Sequence, residues 1–384
     1  MEKSYIARRF AAAGAPALTL DTEALSRYDD IIDLSIGDTD FTTDSAIIDA
    51  AFRDARKGYT HYGAPRGDGE LISAVCAAWQ EDFDQRLDEE NVLITASSSM
   101  GMALAMLAIL DPGDEVIVFS PFFGPYRGQI ELAGGVCVEV PTYAAEDYAI
   151  DEARLRRAIT PRTKAIIFNN PNNPTGMGYQ EDTLRLIASV AQEYDLLVAA
   201  DEIYTTYLYE GRFVPMRTLP GMAARTITLN SFSKNYMMTG WRVGAVIADA
   251  AILSVMSRIN GSLIYTAPAI SQRAAIEALK NRARIRETYV AAYRDRIFYS
   301  AERLEAIDYL SLVRPKGTFY LFPGIEKTGL SAEEFCAALL ERAHVLVTPG
   351  DAFGGAGAGH IRIACTVDID KLKLAYDRMA RLTF

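Results

Sequence analysis

Two serines, a lysine and an arginine lie close together in the second half of the sequence. Ser231, Ser233 and Lys234 follow an apolar, β-branched run at residues 226–229, which predicts a buried strand. Ligands of open α/β sheets bind at the carboxyl ends of the strands, and Arg242 can return there across a short loop. An amine can form a Schiff base, while hydroxyls and a guanidinium bind phosphate. The stretch suits a phosphorylated carbonyl compound, although a solvated loop lysine explains Ser-x-Ser-Lys by itself equally well.

Three consecutive serines follow another predicted strand, at residues 92–95. Ser97, Ser98 and Ser99 open a helix of small residues. Backbone N–H groups and hydroxyls at the positive end of a helix form a phosphate seat. An ordinary serine cap of a helix is the alternative.

Aromatic and amide side chains follow two further strands. Phe123 lies between two prolines after the strand at residues 116–119, where its ring can cover a planar ligand or pack in the core. The strand at residues 164–168 precedes a run of four asparagines and two prolines, at residues 169–176. Asn173 stands directly before a proline and can present a fixed amide donor. This run is too rich in asparagine to be only a turn.

A carboxylate follows the wholly apolar strand at residues 196–200. Asp201 would be costly to bury without a cationic partner, and a protonated pyridine nitrogen would be one. Tyr204 could donate to an oxygen on the same ring. The pair Asp-Glu is also a common helix start. Together, the loops match pyridoxal 5′-phosphate better than a nicotinamide or a nucleotide, since the sequence has neither G-x-G-x-x-G nor a Walker A motif.

The order of strand and helix patterns predicts an α/β fold with two domains. From residue 92 to residue 247, seven apolar strands alternate with helices, which indicates a mainly parallel sheet sandwiched by helices. After residue 248 the pattern changes to a smaller α+β domain, with a long helical region expected at residues 271–304 and strands at residues 309–313 and 318–322. We predict a large domain at residues 45–275 and a small domain formed by residues 1–44 and 276–384. A helix is expected at residues 5–13.

Composition limits the class of protein. The net charge of −11 argues against nucleic acid or an anionic membrane as the main partner. Apolar runs are too short for a membrane span, and the start has no signal peptide pattern. The three histidines have no metal spacing, so no metal is expected. The four cysteines, at positions 76, 137, 336 and 365, lie far apart and are expected to be buried free thiols of a cytoplasmic protein.

These motifs closely resemble those of the class I/II aminotransferases, the fold type I pyridoxal-phosphate enzymes of the aspartate aminotransferase superfamily. The resemblance extends over nearly the whole chain. Its marks are residues 36–41, 62–67, 111–116, 172–176, 201–204, 231–242 and 361–363. The phosphate-binding loop departs from the family pattern, because three serines and a methionine replace the usual glycine or alanine and the following lysine or glutamine.

The resemblance implies a role for each matching residue. Lys234 would form the Schiff base and then move the proton between the substrate Cα and the cofactor C4′. Asp201 would pair with the ring nitrogen. Tyr204 and Asn173 would hold the ring oxygen. The remaining cofactor contacts would be Phe123 on the ring and, at the phosphate, Ser97, Ser98, Ser99, Ser231, Ser233 and Arg242. Tyr62 matches the tyrosine that reaches the phosphate of the neighbouring subunit, which implies a homodimer.

The substrate would be held at the other side of the site. Arg362 matches the arginine that binds the α-carboxylate, Asn173 is shared with the cofactor, and Gly37 lies on the opposite backbone segment. The implied reaction moves an amino group between an L-amino acid and a 2-oxo acid. A β-elimination C–S lyase on the same scaffold and a catalytically silent sensor are the alternatives. Arg66 could bind an acidic side chain or be a solvated loop residue, so the substrate stays open.

Overall fold

The structure is a computed structural model that describes Tyr5 and residues 27–384. Apart from Tyr5, the helix expected at residues 5–13 lies outside the described residues. The strands, in chain order, are β1 (Ile32–Asp33), β2 (Val92–Thr95), β3 (Glu115–Ser120), β4 (Val136–Pro141), β5 (Thr163–Asn169), β6 (Leu197–Asp201), β7 (Thr226–Ser231), β8 (Gly244–Ile247), β9 (Tyr320–Leu321), β10 (Val345–Leu346), β11 (Thr348–Pro349) and β12 (Ile361–Ala364).

Helices fill most of the chain between these strands. They are α1 (Ser45–Arg56), α2 (Gly69–Phe83), α3 (Ser98–Ile109), α4 (Pro125–Leu132), α5 (Glu152–Ala158), α6 (Glu181–Glu193), α7 (Phe232–Asn235), α8 (Ala250–Leu263), α9 (Ala269–Lys280), α10 (Arg282–Ile285), α11 (Ala291–Glu305), α12 (Ala332–Ala343) and α13 (Ile369–Met379). In the part of the chain that the structure describes, no helix is both long and apolar enough to cross a membrane.

Seven strands form the central sheet, in the order β2-β8-β7-β6-β5-β3-β4. Only β8 runs antiparallel to its neighbours, so the predicted mainly parallel seven-stranded sheet is confirmed. Successive side chains of a strand point to opposite faces. Val116 and Val118 accordingly pack with α3 and α4, whereas Ile117 and Phe119 pack with α6. Helices therefore cover both faces, as the continuous apolar strands indicate.

The remaining strands belong to a smaller layer. Strands β11, β12 and β9 form an antiparallel sheet, and β1 pairs with β10 in parallel. The core of this layer is formed with α11, α12 and α13. It contains strands from before and after the central sheet, in agreement with a small α+β unit. The domain boundaries at residues 44/45 and 275/276 remain predictions.

One local expectation is wrong. Residues 309–313 are not a strand, because only Ser311 makes a bridge, to Gly324. The long helical region expected at residues 271–304 is present, and within it α9 and α10 are followed by a π-helical turn at Arg286–Val290 before α11 begins. A π turn lets the helix change register without a break in its apolar pattern.

The carboxyl ends of three central strands meet at one edge of the sheet. Asn169, the last residue of β5, pairs in register with Asp201, the last residue of β6. Strand β7 lies next to β6 and ends at Ser231, directly before α7. Parallel strands therefore bring an amide, a carboxylate and the lysine-bearing helix to the same place.

Candidate active site

A cavity of about 900 Å³ opens at these strand ends and extends to the small layer. It brings together residues that lie far apart in the sequence. The predicted site residues that line it are Gly37, Phe123, Asn173, Asp201, Tyr204, Lys234 and Arg362. A cavity of this volume is of the size that accommodates a cofactor or a drug-sized ligand.

Lys234 lies in the short helix α7 that β7 leads into. The hydroxyl of Ser231 accepts a hydrogen bond from the Ser233 amide (3.1 Å) and so caps this helix. The Lys234 ammonium donates to the carbonyl oxygen of Gly37. Burial lowers the pKa of Lys234 to about 8; the charge of Asp38 opposes this, while Arg362 and Arg242 assist it. The amine therefore loses its proton more readily than a solvated lysine.

Asp201 is buried at the end of β6. The Tyr126 hydroxyl donates to its Oδ2 atom, whereas Oδ1 has no hydrogen-bond partner among the described residues. Burial raises the pKa of Asp201 to about 6, and the hydrogen bond from Tyr126 works against this rise. Burial of a carboxylate with an unpaired oxygen is unfavourable unless a cationic or hydrogen-bonding partner binds there. Sequence reasoning missed Tyr126, although it lies only three positions after Phe123, in the first turn of α4.

The asparagine run fixes the edge of the cavity. Asn169 donates from its side chain to the carbonyl oxygen of Asp201 (2.8 Å) and accepts from the backbone amide of Asn173 (2.7 Å). The side chain of Asn173 accepts from Arg362 Nη1 (3.1 Å). The amide side chains thus connect the end of β6 to the small layer, which supports a functional rather than a purely turn-forming run.

Arg362 lies in β12 and is buried. Its Nη2 atom donates to the carbonyl oxygen of Ser35 (2.5 Å), and its Nε atom has no partner among the described residues. The guanidinium centre lies 4.6 Å from the ring centre of Tyr320 and 4.7 Å from that of Phe353. Burial lowers the pKa of Arg362 from its very high ordinary value. An arginine held in this way remains a cation with donors left for a carboxylate.

Tyr204 is buried beside the same cavity. Its hydroxyl donates to the hydroxyl of Tyr320 at 3.2 Å. Tyr320 also fills the space beside Gly37, where an added Cβ would lie 1.7 Å from the Tyr320 hydroxyl oxygen. Only glycine fits at this approach. Sequence reasoning did not identify Tyr320, whose short strand resembles an ordinary core segment.

The other predicted residues do not line the cavity. Ser97 caps α3 with a φ of 98°, and an added Cβ at Gly244 would lie 2.7 Å from the Ser98 backbone nitrogen, so the start of α3 sits tightly against β8. Ser99 bonds to Gln129, and Ser231 borders a second cavity behind α7. The cavity is thus not lined by any of the residues predicted to bind the phosphate, which are Ser97, Ser98, Ser99, Ser231, Ser233 and Arg242.

Two arginines and one tyrosine that the sequence singled out also do not line the cavity. Arg242 is exposed and donates to the carbonyl oxygen of Thr239 (2.8 Å), a residue that does line the cavity. Arg66 donates to two backbone carbonyls near the start of β2, so it does not point a free guanidinium at a ligand. Tyr62 is 85 % exposed and packs against the ring of Tyr265 at 5.2 Å.

The residues fit pyridoxal 5′-phosphate. The unpaired Oδ1 of Asp201 suits a protonated ring nitrogen, and the amine of Lys234 suits an aldehyde. The donors of Arg362 suit a carboxylate. These three residues therefore provide a partner for the ring nitrogen and the aldehyde of the cofactor and for the carboxylate of a substrate.

Residues 29–379 match the aminotransferase class I and II family. The chain belongs to this family. It is 37% identical over 377 residues to the aspartate/prephenate aminotransferase of Thermus thermophilus, covering 97% of this chain and 94% of that one. It is 35% identical over 383 residues to the arginine–pyruvate transaminase of Pseudomonas aeruginosa, covering 99% and 98%. The solved aspartate aminotransferase of Thermus thermophilus with maleate superposes with a TM-score of 0.93 at 34% identity, covering 99% and 100%.

This aminotransferase is therefore a pyridoxal-phosphate-dependent enzyme of fold type I that catalyses transamination. The relatives are named for aspartate, prephenate and arginine, so the family assignment does not choose the substrate. Their names support transamination and give no support to the C–S lyase alternative.

Proposed function

We propose that Lys234 holds the cofactor of this aminotransferase as a Schiff base and then serves as the base at the substrate. The observation that carries the proposal is the position of its amine, buried in the cavity with a pKa lowered to about 8. When bound, pyridoxal phosphate supplies an electron sink for the carbanion formed at the substrate Cα. Lys234 in its neutral form takes the proton from the substrate Cα as a base, and it returns a proton as an acid later in the transfer.

Asp201 in its ionised form keeps the ring nitrogen of the cofactor protonated. Its free Oδ1 atom supports this role, and Tyr126 fixes the other oxygen. A carboxylate that is paired with a buried cation avoids the cost of burial that raises its pKa when it is alone. Tyr204 and Asn173 would donate to the ring oxygen.

The cofactor ring and phosphate are assigned to the remaining predicted groups. Phe123 would cover the ring. The phosphate would be held at the start of α3, where backbone N–H groups point outward at the positive end of the helix. The phosphate contacts would come from Ser97, Ser98, Ser99, Ser231, Ser233 and Arg242.

Arg362 binds the substrate α-carboxylate, with Asn173 and the backbone at Gly37 beside it. Its anchors at Ser35 and Asn173 support this role, because they orient the guanidinium before a ligand arrives. The ligands are an L-amino acid and a 2-oxo acid. We assign Arg362 to the small domain of residues 1–44 and 276–384, which would close on the large domain of residues 45–275.

The working form is a homodimer in which Tyr62 reaches the phosphate site of the neighbouring subunit. The exposure of this tyrosine supports the assignment, because its side chain is accessible to a neighbouring subunit. We place the enzyme in the cytoplasm, and its four free cysteines agree with a reducing compartment.

Replacement of the lysine tests the proposal. Lys234→Ala should abolish both the visible absorbance of the bound cofactor and the transfer of an amino group from a panel of amino acids to 2-oxo acids. Lys164→Ala, at an exposed lysine, is the control and should retain both. An intact visible band in Lys234→Ala would refute the assignment. Pyruvate released without an acceptor would indicate a lyase instead.

A further inference from the structure

Tyr320 contacts three groups of the proposed site, yet none of the sequence motifs includes it. Its hydroxyl lies 3.2 Å from that of Tyr204, and its ring centre lies 4.6 Å from the guanidinium of Arg362. The same hydroxyl fills the space beside Gly37. The side chain is 2% exposed, so its place is fixed by packing. One buried tyrosine thus lies between the ring-oxygen end and the carboxylate end of the cavity.

The contact between the two tyrosine hydroxyls has a direction. A hydroxyl has a single hydrogen to donate but can also accept. Tyr204 donates to Tyr320 in the structure. If Tyr204 is to donate to a ligand oxygen, the contact must reverse, and Tyr320 must become the donor. The Tyr320 hydroxyl makes no other hydrogen bond with the described part of the chain, so its hydrogen can rotate towards Tyr204 while the ring stays in place.

The ring of Tyr320 acts on Arg362. The guanidinium lies over the rings of both Tyr320 and Phe353, while Ser35 and Asn173 accept hydrogen bonds from its two terminal nitrogens. Aromatic faces attract a cation, and they attract it more strongly where water is excluded. The two rings therefore restrict the guanidinium to one plane, which a bidentate carboxylate pair requires.

We propose that Tyr320 is a positioning residue shared by the two ends of the site. Its hydroxyl turns the Tyr204 hydroxyl towards the ring oxygen of the cofactor, and its ring holds Arg362 in the plane that a substrate carboxylate needs. Both effects rest on the proposed roles of Tyr204 and Arg362. The two effects come from different parts of one side chain and can be separated by substitution.

Tyr320→Phe removes the hydroxyl and keeps the ring. A hydrogen bond to the ring oxygen favours the form of the cofactor with negative charge there, so its weakening should move the pH midpoint of the visible absorbance to higher pH. We expect the dissociation constant of the cofactor to rise about fivefold, in line with the loss of about one hydrogen bond. The KM for the amino donor should stay within about twofold, because the ring remains.

Tyr320→Leu and Tyr320→Met remove the ring as well. We expect the KM for the amino donor and the dissociation constant of maleate to rise about tenfold above those of Tyr320→Phe. Two variants of similar volume but different shape are used, so that a packing failure in one does not decide the result. Circular dichroism checks that each is folded.

Tyr209→Phe is the matched control. It removes a hydroxyl that donates to the Thr318 carbonyl oxygen (2.7 Å), in the same aromatic region but not on the wall of the cavity. It should behave as wild type. An unshifted absorbance midpoint and unchanged cofactor affinity in Tyr320→Phe would overturn the hydroxyl effect, and an unchanged KM in both ring-removing variants would overturn the ring effect. Failure of the proposed function looks different, since Lys234→Ala would then retain the visible band.

Discussion

Tyr126 holds one oxygen of the Asp201 carboxylate and leaves the other free. The two residues are 75 positions apart in the chain and meet because α4 starts beside the end of β6. The hydrogen bond favours the ionised carboxylate, whereas burial favours the neutral acid and raises the pKa to about 6. A site that relies on a negative charge at Asp201 therefore depends on a tyrosine that does not itself carry the chemistry.

Tyr126→Phe should weaken cofactor binding in a pH-dependent way. Loss of the hydrogen bond raises the pKa of Asp201, so a larger fraction is protonated at pH 6–7 and cannot pair with a protonated ring nitrogen. We expect about tenfold weaker binding of pyridoxal phosphate to the apoenzyme at pH 6.5, with a smaller deficit at pH 8.5. Fluorescence titration measures this. Tyr148→Phe, at a buried tyrosine outside the cavity, is the control; a deficit independent of pH would point to packing alone.

Arg362→Lys should separate substrate binding from cofactor binding. A lysine ammonium cannot reproduce the planar, two-point contact of a guanidinium. We expect the KM for amino donors to rise roughly 100-fold, which corresponds to about 2.7 kcal/mol. Cofactor affinity should change by less than about threefold. Arg378→Lys, at an arginine bound to Asp30 on the surface, should leave all of these constants unchanged; equal losses in both variants would contradict the role of Arg362.

Asp38→Asn should make the lysine amine available at lower pH. The carboxylate of Asp38 lines the cavity and raises the pKa of Lys234 against the effect of burial. Without this charge the neutral amine is populated earlier, so capture of pyridoxal phosphate by the apoenzyme at pH 7 should be about twofold faster. Stopped-flow absorbance between pH 6 and 10 gives the midpoint. Asp49→Asn, on the exposed side of α1, should not move it; an identical shift in both would mean a general charge effect.

Glu202→Gln should stabilise the apoenzyme at alkaline pH. Glu202 is buried behind Asp201; its Oε1 atom accepts from the Met216 amide (2.7 Å), and burial raises its pKa to about 8. Because the folded pKa lies above that of the unfolded chain, the stability it contributes is complete below the unfolded pKa and is lost as pH rises through 8. A glutamine keeps the acceptor and does not ionise.

The difference in unfolding free energy between Glu202→Gln and wild type should be near zero at pH 4.5. It should grow to the order of 4 kcal/mol at pH 8.5. Denaturant unfolding at the two pH values measures it. Glu90→Gln, at an exposed glutamate, is the control. A constant difference across the range would show that the carboxyl group is not titrating between the folded and unfolded states.

The candidate site was predictable where chemistry and strand ends coincide. Asp201 ends an apolar strand and Lys234 lies three residues after another, and parallel strands bring their carboxyl ends to one edge whatever lies between them. Arg362 could be assigned only through the family resemblance, since its strand has no feature that predicts its partner. Tyr126 and Tyr320 were missed because their roles depend on contacts across 75 and 116 residues of chain. Periodicity contains no information on such contacts.

The fold, like the site, was predictable where local pattern determines it and not where it depends on contacts between distant parts of the chain. The central strands were predictable because both faces are buried and their runs are continuously apolar. Residues 309–313 have a strand-like composition but meet only one backbone partner, at Gly324, so a ladder does not form. The π turn at Arg286–Val290 inserts a register change into an otherwise helical pattern. Such a change depends on packing against the neighbouring elements and leaves the spacing of apolar residues almost unaltered.

The amine of Lys234 already has an acceptor, the carbonyl oxygen of Gly37. To attack a carbonyl carbon the nitrogen must leave this oxygen, and a partly buried carbonyl without a donor is unfavourable. An incoming amino acid brings an ammonium group with N–H donors of its own. The same oxygen can therefore pass from one nitrogen to another. Once Lys234 has bound the cofactor, the ammonium group of the substrate would take over the acceptor that the lysine has given up.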